Sequence, residues 1–349
     1  MAYSLGLGGE LVAVTHECDY PPEVKNKPKV VRNVLPIETM SQRQIDLAVA
    51  ERMRSGKSLY QIDEQLLREL APDLILTQNL CQVCAPSGNE VSQVIQSLEK
   101  RPQILWLTPR SVSEIFDNLR ELGGATGRND EAELIIKDCR ARIDRLVRFT
   151  TSVGSKRPRV FCMEWLDPVY ACGHWVPELV QLAGGEDELG QVGGESVRVS
   201  WETIATWAPE VLVLMPCGFN LPQTMKQIWN VFGRYSPTKS EGLAEFLRLP
   251  AVRNGRVYAV DANSYFARPG PRVIEGAELL AQIIHPDQFR KSDLPDHASS
   301  FQLVDVALLQ GLLEEGKDYN VEGNAMVFTA SYLKRRGYCC DSGCRNCPY

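Results

Sequence analysis

The chain has 349 residues, 44% apolar and 23% charged, with 38 Lys and Arg against 44 Asp and Glu for a net charge of −6. That length holds about two ordinary domains with sizeable cores, and the acidic balance excludes a general nucleic-acid binder, which needs a basic face. No apolar run reaches the roughly 18 residues of a membrane-spanning helix, so no membrane-embedded segment is expected.

The start, Met1-Ala-Tyr-Ser-Leu-Gly-Leu-Gly-Gly9, has neither the basic opening nor the long apolar stretch of a secretory leader. A cytoplasmic chain is expected, on the condition that the amino terminus is complete. Along the chain, short apolar runs predict strands at Leu11–Val14, Leu74–Thr77, Ile104–Leu107, Val160–Met163, Val211–Met215 and Val257–Val260. Between them, amphipathic spacing predicts helices at Ser41–Arg54, where Ile45, Val49 and Met53 fall four apart, and at Asn89–Leu98, Ser111–Leu122 and Pro271–Ile284. The alternation is that of an α/β protein with parallel sheets.

One pattern occurs twice. Leu67-Arg-Glu-Leu-Ala-Pro-Asp-Leu-Ile-Leu-Thr77 and Ile204-Ala-Thr-Trp-Ala-Pro-Glu-Val-Leu-Val-Leu214 each read as a helix end, an Ala-Pro-acid turn and a buried strand, with a Gly-rich segment upstream of each. Between the copies, residues 129–153 hold no Gly or Pro and read as one helix roughly 36 Å long. Two related lobes follow, at 1–125 and 155–290, with a bridging helix within 126–154. Residues 291–300 read as a linker and 301–349 as a Cys-rich tail, with a helix over Phe301–Leu313 and a hairpin turning at Glu322-Gly-Asn324.

Eleven cysteines, an odd number in a long chain, suit a reducing compartment with free thiols rather than a disulfide framework. Four of them, Cys339, Cys340, Cys344 and Cys347, crowd the last eleven residues and are candidate ligands for a metal. Zinc needs four ligands, or three and an outside one. A three-thiolate iron–sulfur cluster is the alternative, and a free-thiol tail or local disulfide stays open. Cys81-x-x-Cys84 has no matching second half and reads as structural thiols.

Ligands of parallel α/β lobes sit beyond the carboxyl ends of the strands. The segments there include Thr15–Pro22, Gln78–Cys84, Glu164–Pro168, Ala171–Pro177, Pro216–Asn220 and Asn263–Gly270. Most carry aromatics, which as a set suggest a broad, flat, partly apolar ligand. A phosphate-loop lysine motif, a dinucleotide fingerprint and a Gly-x-Ser-x-Gly elbow are all absent. Of the four histidines, His16 and His174 fall at such loops; each is by default a structural histidine, although His174 could ligate a metal held within a bound cofactor.

Four segments, Val14-Thr-His-Glu-Cys-Asp-Tyr-Pro21, Ala71-Pro-Asp-Leu-Ile75, Gly173-His-Trp-Val-Pro-Glu178 and Arg268-Pro-Gly-Pro-Arg272, make residues 5–289 resemble a known family. It is the helical-backbone (class III) group of ABC-transporter substrate-binding proteins, in its cobalamin-binding branch. The resemblance implies two Rossmann-like lobes on one long helix, no catalysis, and a corrin ring held most directly by Tyr20, Trp165 and Trp175. Asp19, Asn79, His174, Phe266 and Arg268 complete the candidate ligand set. Family members begin with a strand and loop before the Leu-Gly-x-Gly segment, so the first lobe is expected to lack a central strand and to be the less stable. The family docks on its permease through one acid per lobe, seven residues before the Pro of the Ala-Pro turn. Glu202 fills that place in lobe two, but Gln65 stands there in lobe one with Glu64 beside it, which weakens the expectation of a permease partner. The tail resembles a small Cys-rich bacterial domain of unknown function. The expected function is therefore non-catalytic corrinoid binding, of cobalamin in the first place, in the interlobe cleft. The other reading is a cytosolic metal or electron-transfer protein with the lobes as scaffold; a corrinoid-processing enzyme ranks last, for want of an acid–base pair.

Overall fold

A computed structural model of the chain describes residues 1–78, 98, 100–234, 242–322, 325–339 and 343–349. It divides into two units, Met1–Ala141 and Arg142–Tyr349. Asn79, Cys81, Cys84 and the predicted helix at 89–98 lie outside the described residues, apart from Leu98.

In the first unit, the Leu-Gly segment forms two short 3-10 turns, Ala2–Leu5 and Leu7–Gly9, with Gly6 at φ 76° between them. They bury Leu5 and Leu7 against Leu105, Leu107, Leu122 and Ala132. The first predicted strand shrinks to β1 (Val14–Thr15), which pairs parallel with β2 (Lys29–Asn33); β2 pairs antiparallel with β3 (Tyr60–Ile62). Helix α1 (Gln42–Arg54) starts at a reciprocal capping box between Ser41 and Gln44. Helix α2 (Glu64–Leu70) leads to β4 (Leu74–Thr77), paired parallel with β5 (Gln103–Trp106). Helix α3 (Val112–Thr126) follows, capped by Ser111 and ended by Gly127 at φ 69°. Among the described residues this unit thus holds two separate small sheets. Helix α4 (Asn129–Val153) is unbroken across the boundary of the two units.

The second unit is built on a six-stranded sheet in the order β11-β10-β9-β6-β7-β8. Its centre, β6 (Val160–Leu166), β9 (Val211–Leu214) and β10 (Val257–Val260), is parallel. At its edges β7 (Val169–Ala171), β8 (Val197–Arg198) and β11 (Phe301–Leu303) run antiparallel to their neighbours. All four residues of β9, Val-Leu-Val-Leu, are buried, as the continuous apolar run demands of a strand covered on both faces. Phe161, Met163, Leu212 and Leu214 pack in one cluster with Ile228 and Phe232. Helices α5 (Val176–Leu182), α6 (Trp201–Trp207), α7 (Leu221–Phe232) and α8 (Val273–Ile284) belong to the same unit.

The repeated turn folds alike both times. Asp63 caps α2 through the Leu66 N–H and Ser200 caps α6 through the Thr203 N–H. Each helix ends at an alanine in the left-handed region, Ala71 at φ 40° and Ala208 at φ 52°. The following proline disfavours right-handed geometry at that alanine, and the left-handed turn lets its N–H close on the last turn, at Leu67 and Ile204.

Two expectations for residues beyond 290 are corrected. Residues 301–313 are not one helix: Phe301–Leu303 extend along the open edge of β10, and only Val306–Leu309, capped by Asp305, are helical. The alternating Phe-Gln-Leu suits an edge strand better than a helix start. Residues 291–300 are not a free linker either. Leu294, His297 and Ser300 are buried, and His297 Nε2 lies 3.1 Å from Glu278 Oε2. Glu278, wholly buried on α8, is also gripped by Arg142 of α4 in two bonds of 3.0 and 2.6 Å. Burial alone would push its carboxyl up, but the bonds from His297 and Arg142 outweigh it and hold the group below the ordinary carboxylate range. The remaining segment forms the hairpin β12 (Tyr319–Glu322) and β13 (Ala325–Phe328), then α9 (Ala330–Arg336).

Candidate functional site

The loops at the carboxyl ends of β6, β9 and β10 are bound to one another. Trp165, near the end of β6, stacks on Phe219 of the loop after β9, with centroids 5.9 Å apart and an interplanar angle of 19°. The Phe219 carbonyl accepts the Asn263 N–H at 3.1 Å, which ties in the loop after β10. Trp165 is half-buried, so the pair offers an aromatic face.

His174 stands next to this in sequence order, between β7 and α5. Its φ of 53° is left-handed, uncommon for a residue with a side chain. Two backbone bonds enforce it: the His174 N–H donates to the Gly194 carbonyl at 2.7 Å, and the Gly193 N–H donates to the His174 carbonyl at 2.9 Å. The approach requires a glycine just before, because a Cβ on Gly173 would overlap the Gly194 carbonyl oxygen. Strained backbone held this firmly is typical of ligand loops. The half-buried imidazole lies 5.7 Å from the Trp175 ring.

Trp175 and Phe266 themselves are only 4% and 3% exposed, and the Trp175 indole N–H donates to the Phe266 carbonyl at 2.9 Å. They brace the His174 loop against the loop of Arg268, which is half-buried, and offer a ligand little surface. In the first unit, Tyr20 is 59% exposed and Asp19 half-buried, in the loop after β1. His16 of that loop is structural, with Nδ1 3.3 Å from the Val31 carbonyl oxygen and Nε2 3.2 Å from Glu17. Glu202 is exposed in the first turn of α6, in a shallow groove with Glu188, Leu189, Thr203, Thr206 and Trp207.

Sequence reading did not single out Glu164 and Asp187, which fasten neighbouring loops to β6. Glu164 accepts hydrogen bonds from the Ser196 hydroxyl, the Gly173 N–H and the Cys172 thiol; burial raises its pKa in spite of them. Asp187 is buried, pushed up to about 6 by desolvation, and accepts the Leu189 and Gly190 N–H groups at 3.0 Å each. Burial likewise raises the Cys162 and Cys172 thiols, so neither is a ready nucleophile. The only hint of Glu164 in the sequence is a lone acid within an otherwise apolar strand.

The Cys339 and Cys347 sulfurs lie 3.8 Å apart, and Cys344 and Cys347 both pack against the cluster of Leu308, Tyr332 and Leu333. Cys340 lies outside the described residues, and among those described no three His, Cys, Asp or Glu side chains converge as a metal site.

Comparison with known proteins agrees with this architecture. Residues 1–264 match the family model for periplasmic binding proteins, and residues 310–349 match a family of unknown function, DUF5522. An uncharacterized ABC transporter substrate-binding lipoprotein of Bacillus subtilis is 25% identical over 83% of this chain and 78% of its own. A vitamin B12-binding protein of Vibrio parahaemolyticus is 23% identical over 78% of this chain and 81% of its own. The structure of a periplasmic heme-binding protein from Pseudomonas aeruginosa superposes with a TM-score of 0.60 at 17% identity, covering 82% of this chain and 88% of that one. These findings correct the cytoplasmic expectation: the matched family is periplasmic and the Bacillus relative a lipoprotein, so the kinship is with extracytoplasmic proteins. Free thiols and the character of the first residues do not measure the compartment. With its mixed α/β architecture and a match over its first 264 residues, the chain belongs to the periplasmic binding protein family, in the class III fold.

Proposed function

We propose that the chain binds a corrinoid, cobalamin in the first place, at the strand-end loops of its second unit and does not turn it over. The observations that carry this are the half-buried Trp165–Phe219 stack and the strained, doubly clasped His174, whose neighbour Gly173 donates its N–H to Glu164, the residue before Trp165. A flat macrocycle needs an aromatic face for its ring, and its metal needs a neutral imidazole that is held rather than mobile. Binding without chemistry fits a site whose acids, Glu164 and Asp187, are enlisted in holding loops. The vitamin B12-binding relative supports the choice of ligand. Glu202, exposed at a helix start, is the proposed contact of the second unit with a permease.

The test is a titration with hydroxocobalamin followed in the visible spectrum. Saturable binding with a displaced axial ligand, lost in His174→Ala, is the expected result; Trp165→Ala raises Kd about tenfold or more. Unchanged spectra and affinity in both variants would refute the assignment of these residues. Haem is the second reading, favoured by the same aromatic face and the heme-binding structural relative. A parallel titration with haemin separates the two, since the tighter macrocycle is the ligand.

A further inference from the structure

Helix α7 starts at Asn220, whose side chain caps it through the Gln223 N–H, and the residue before that cap is Phe219, the ring stacked on Trp165. Phe219 therefore goes where the first turn of α7 goes. Farther along the helix, Met225, Trp229 and Phe232 fall four and three residues apart and share one side of it. The tail holds α7 at all three. The Gln310 amide donates to the Phe232 carbonyl at 3.0 Å, and the Arg234 N–H just past the helix donates to the Leu309 carbonyl at 2.9 Å. The Trp229 indole N–H donates to the Arg336 carbonyl at 3.3 Å, and Trp229 packs on the cluster of Leu308, Tyr332 and Leu333. At Met225 the approach is closest. Gly337, at φ 85°, ends α9 there, and a Cβ on it would stand 2.8 Å from Met225 Cγ and 2.7 Å from Gln302 Oε1.

The tail is itself tied together firmly enough to hold a helix. Arg335 of α9 reaches Asp305 at 3.1 Å and also the buried Asp318, which joins α9 to the short helix Val306–Leu309 and to the turn before β12. The Gln302 amide donates to the Arg335 carbonyl at 2.6 Å, so α9 is fixed to β11, and β11 is paired with β10. Helix α7 meets the same strand, through the Thr224 hydroxyl on the Val260 carbonyl at 3.2 Å. Beyond β10 comes Asn263, whose N–H the Phe219 carbonyl accepts. The tail, α7, β10 and the Phe219 loop thus form a closed circuit of contacts.

We propose that residues 301–349 are an internal brace whose partner is α7 of this same chain, and that Gly337 and Gln310 are positioning residues for Phe219. The effect on ligand rests on the corrinoid reading; the docking of the tail on α7 does not. A loop held in its competent state about a tenth of the time binds about tenfold more weakly, which sets the effect expected when the brace is loosened.

Hydrogen exchange of the full chain, read by peptide mass, tests it. In the unaltered chain Leu221–Phe232 and Ala330–Arg336 should open as one cooperative unit. Gly337→Val should speed exchange in both and leave Val160–Leu166 unchanged. The same variant should raise the Kd for hydroxocobalamin about tenfold, with the visible spectrum at saturation unaltered. Val321→Ser, at an exposed place on the hairpin, should change none of these. Should Gly337→Val misfold, Gln310→Ala, which removes only the bond to the Phe232 carbonyl, should show the same pattern at smaller amplitude. Separate opening of α7 and α9 in the unaltered chain overturns the proposal, as does a loosened α9 beside an unchanged α7, or a β6 loosened as much as α7. A loosened α7 with an unchanged Kd overturns the positioning of Phe219. An unaltered chain that takes up no hydroxocobalamin defeats the corrinoid reading instead, and exchange alone then decides the brace.

Discussion

The two copies of the helix–Ala-Pro–strand turn share their caps, their left-handed alanines and their strand directions, yet they sit in very different surroundings. All four residues of β9 are buried, whereas all four of β4 are only half-buried. β9 lies inside a six-stranded sheet with helices packed in a large cluster, while β4 has β5 alone as partner among the described residues. The turn is a local product of its sequence; burial is set by what the rest of the unit brings to it. Stability should follow the surroundings rather than the shared motif.

The largest effect should come from the second unit's core. Phe232, fully buried and stacked on Phe246 at 4.2 Å, costs about 3–5 kcal/mol when cut to alanine. Ile75→Ala, on half-buried β4, should cost about half as much or less. Hydrogen exchange should match, with slower exchange in β6, β9 and β10 than in β4 and β5. Equal protection would break the comparison.

Next comes Arg142→Ala, which strands the buried Glu278 carboxylate and should cost about 3 kcal/mol at neutral pH by chemical denaturation. The folded pKa of Glu278 is depressed, so the stability it contributes is present above the ordinary carboxylate range and is lost as pH falls through it. Asp187 runs the other way. With its folded pKa raised to about 6, its contribution is complete below about 4, the usual unfolded value, and is lost as pH rises towards 6. Asp187→Asn should flatten stability between those limits, and an unchanged slope would show that Asp187 is not buried as described.

The smallest effect sharpens the comparison most. Ala71→Gly and Ala208→Gly relieve a left-handed alanine and should each stabilise by roughly 0.5–1 kcal/mol. Similar gains in the two units would show the turn to be the same device in both. A gain in one alone would tie it to its surroundings.

Much of this fold was legible in the sequence because it is written locally. Strands Leu74–Thr77 and Val257–Val260 and the helix Asn129–Val153 fall where apolar runs and Gly or Pro punctuation put them. Edge strands were not legible: Val169–Ala171, Val197–Arg198 and Phe301–Leu303 have two or three residues each and exist only through their partners. The same distinction runs through the site. Its loops could be located by their place after strands, and their aromatics counted. Whether an aromatic faces out, as Tyr20 does, or braces the interior, as Trp175 and Phe266 do, depends on contacts as far apart as the 91 residues between Trp175 and its acceptor. The Arg142–Glu278–His297 cluster, joining a helix, another helix and an apparent linker, is equally non-local.

The most direct test of ligand binding is calorimetric titration of hydroxocobalamin into the reduced full-length chain. Saturable heat with one site and a Kd below about 10 μM, near −7 kcal/mol, is the predicted result. No heat, together with free passage of the corrinoid on dialysis at tens of micromolar, would contradict it.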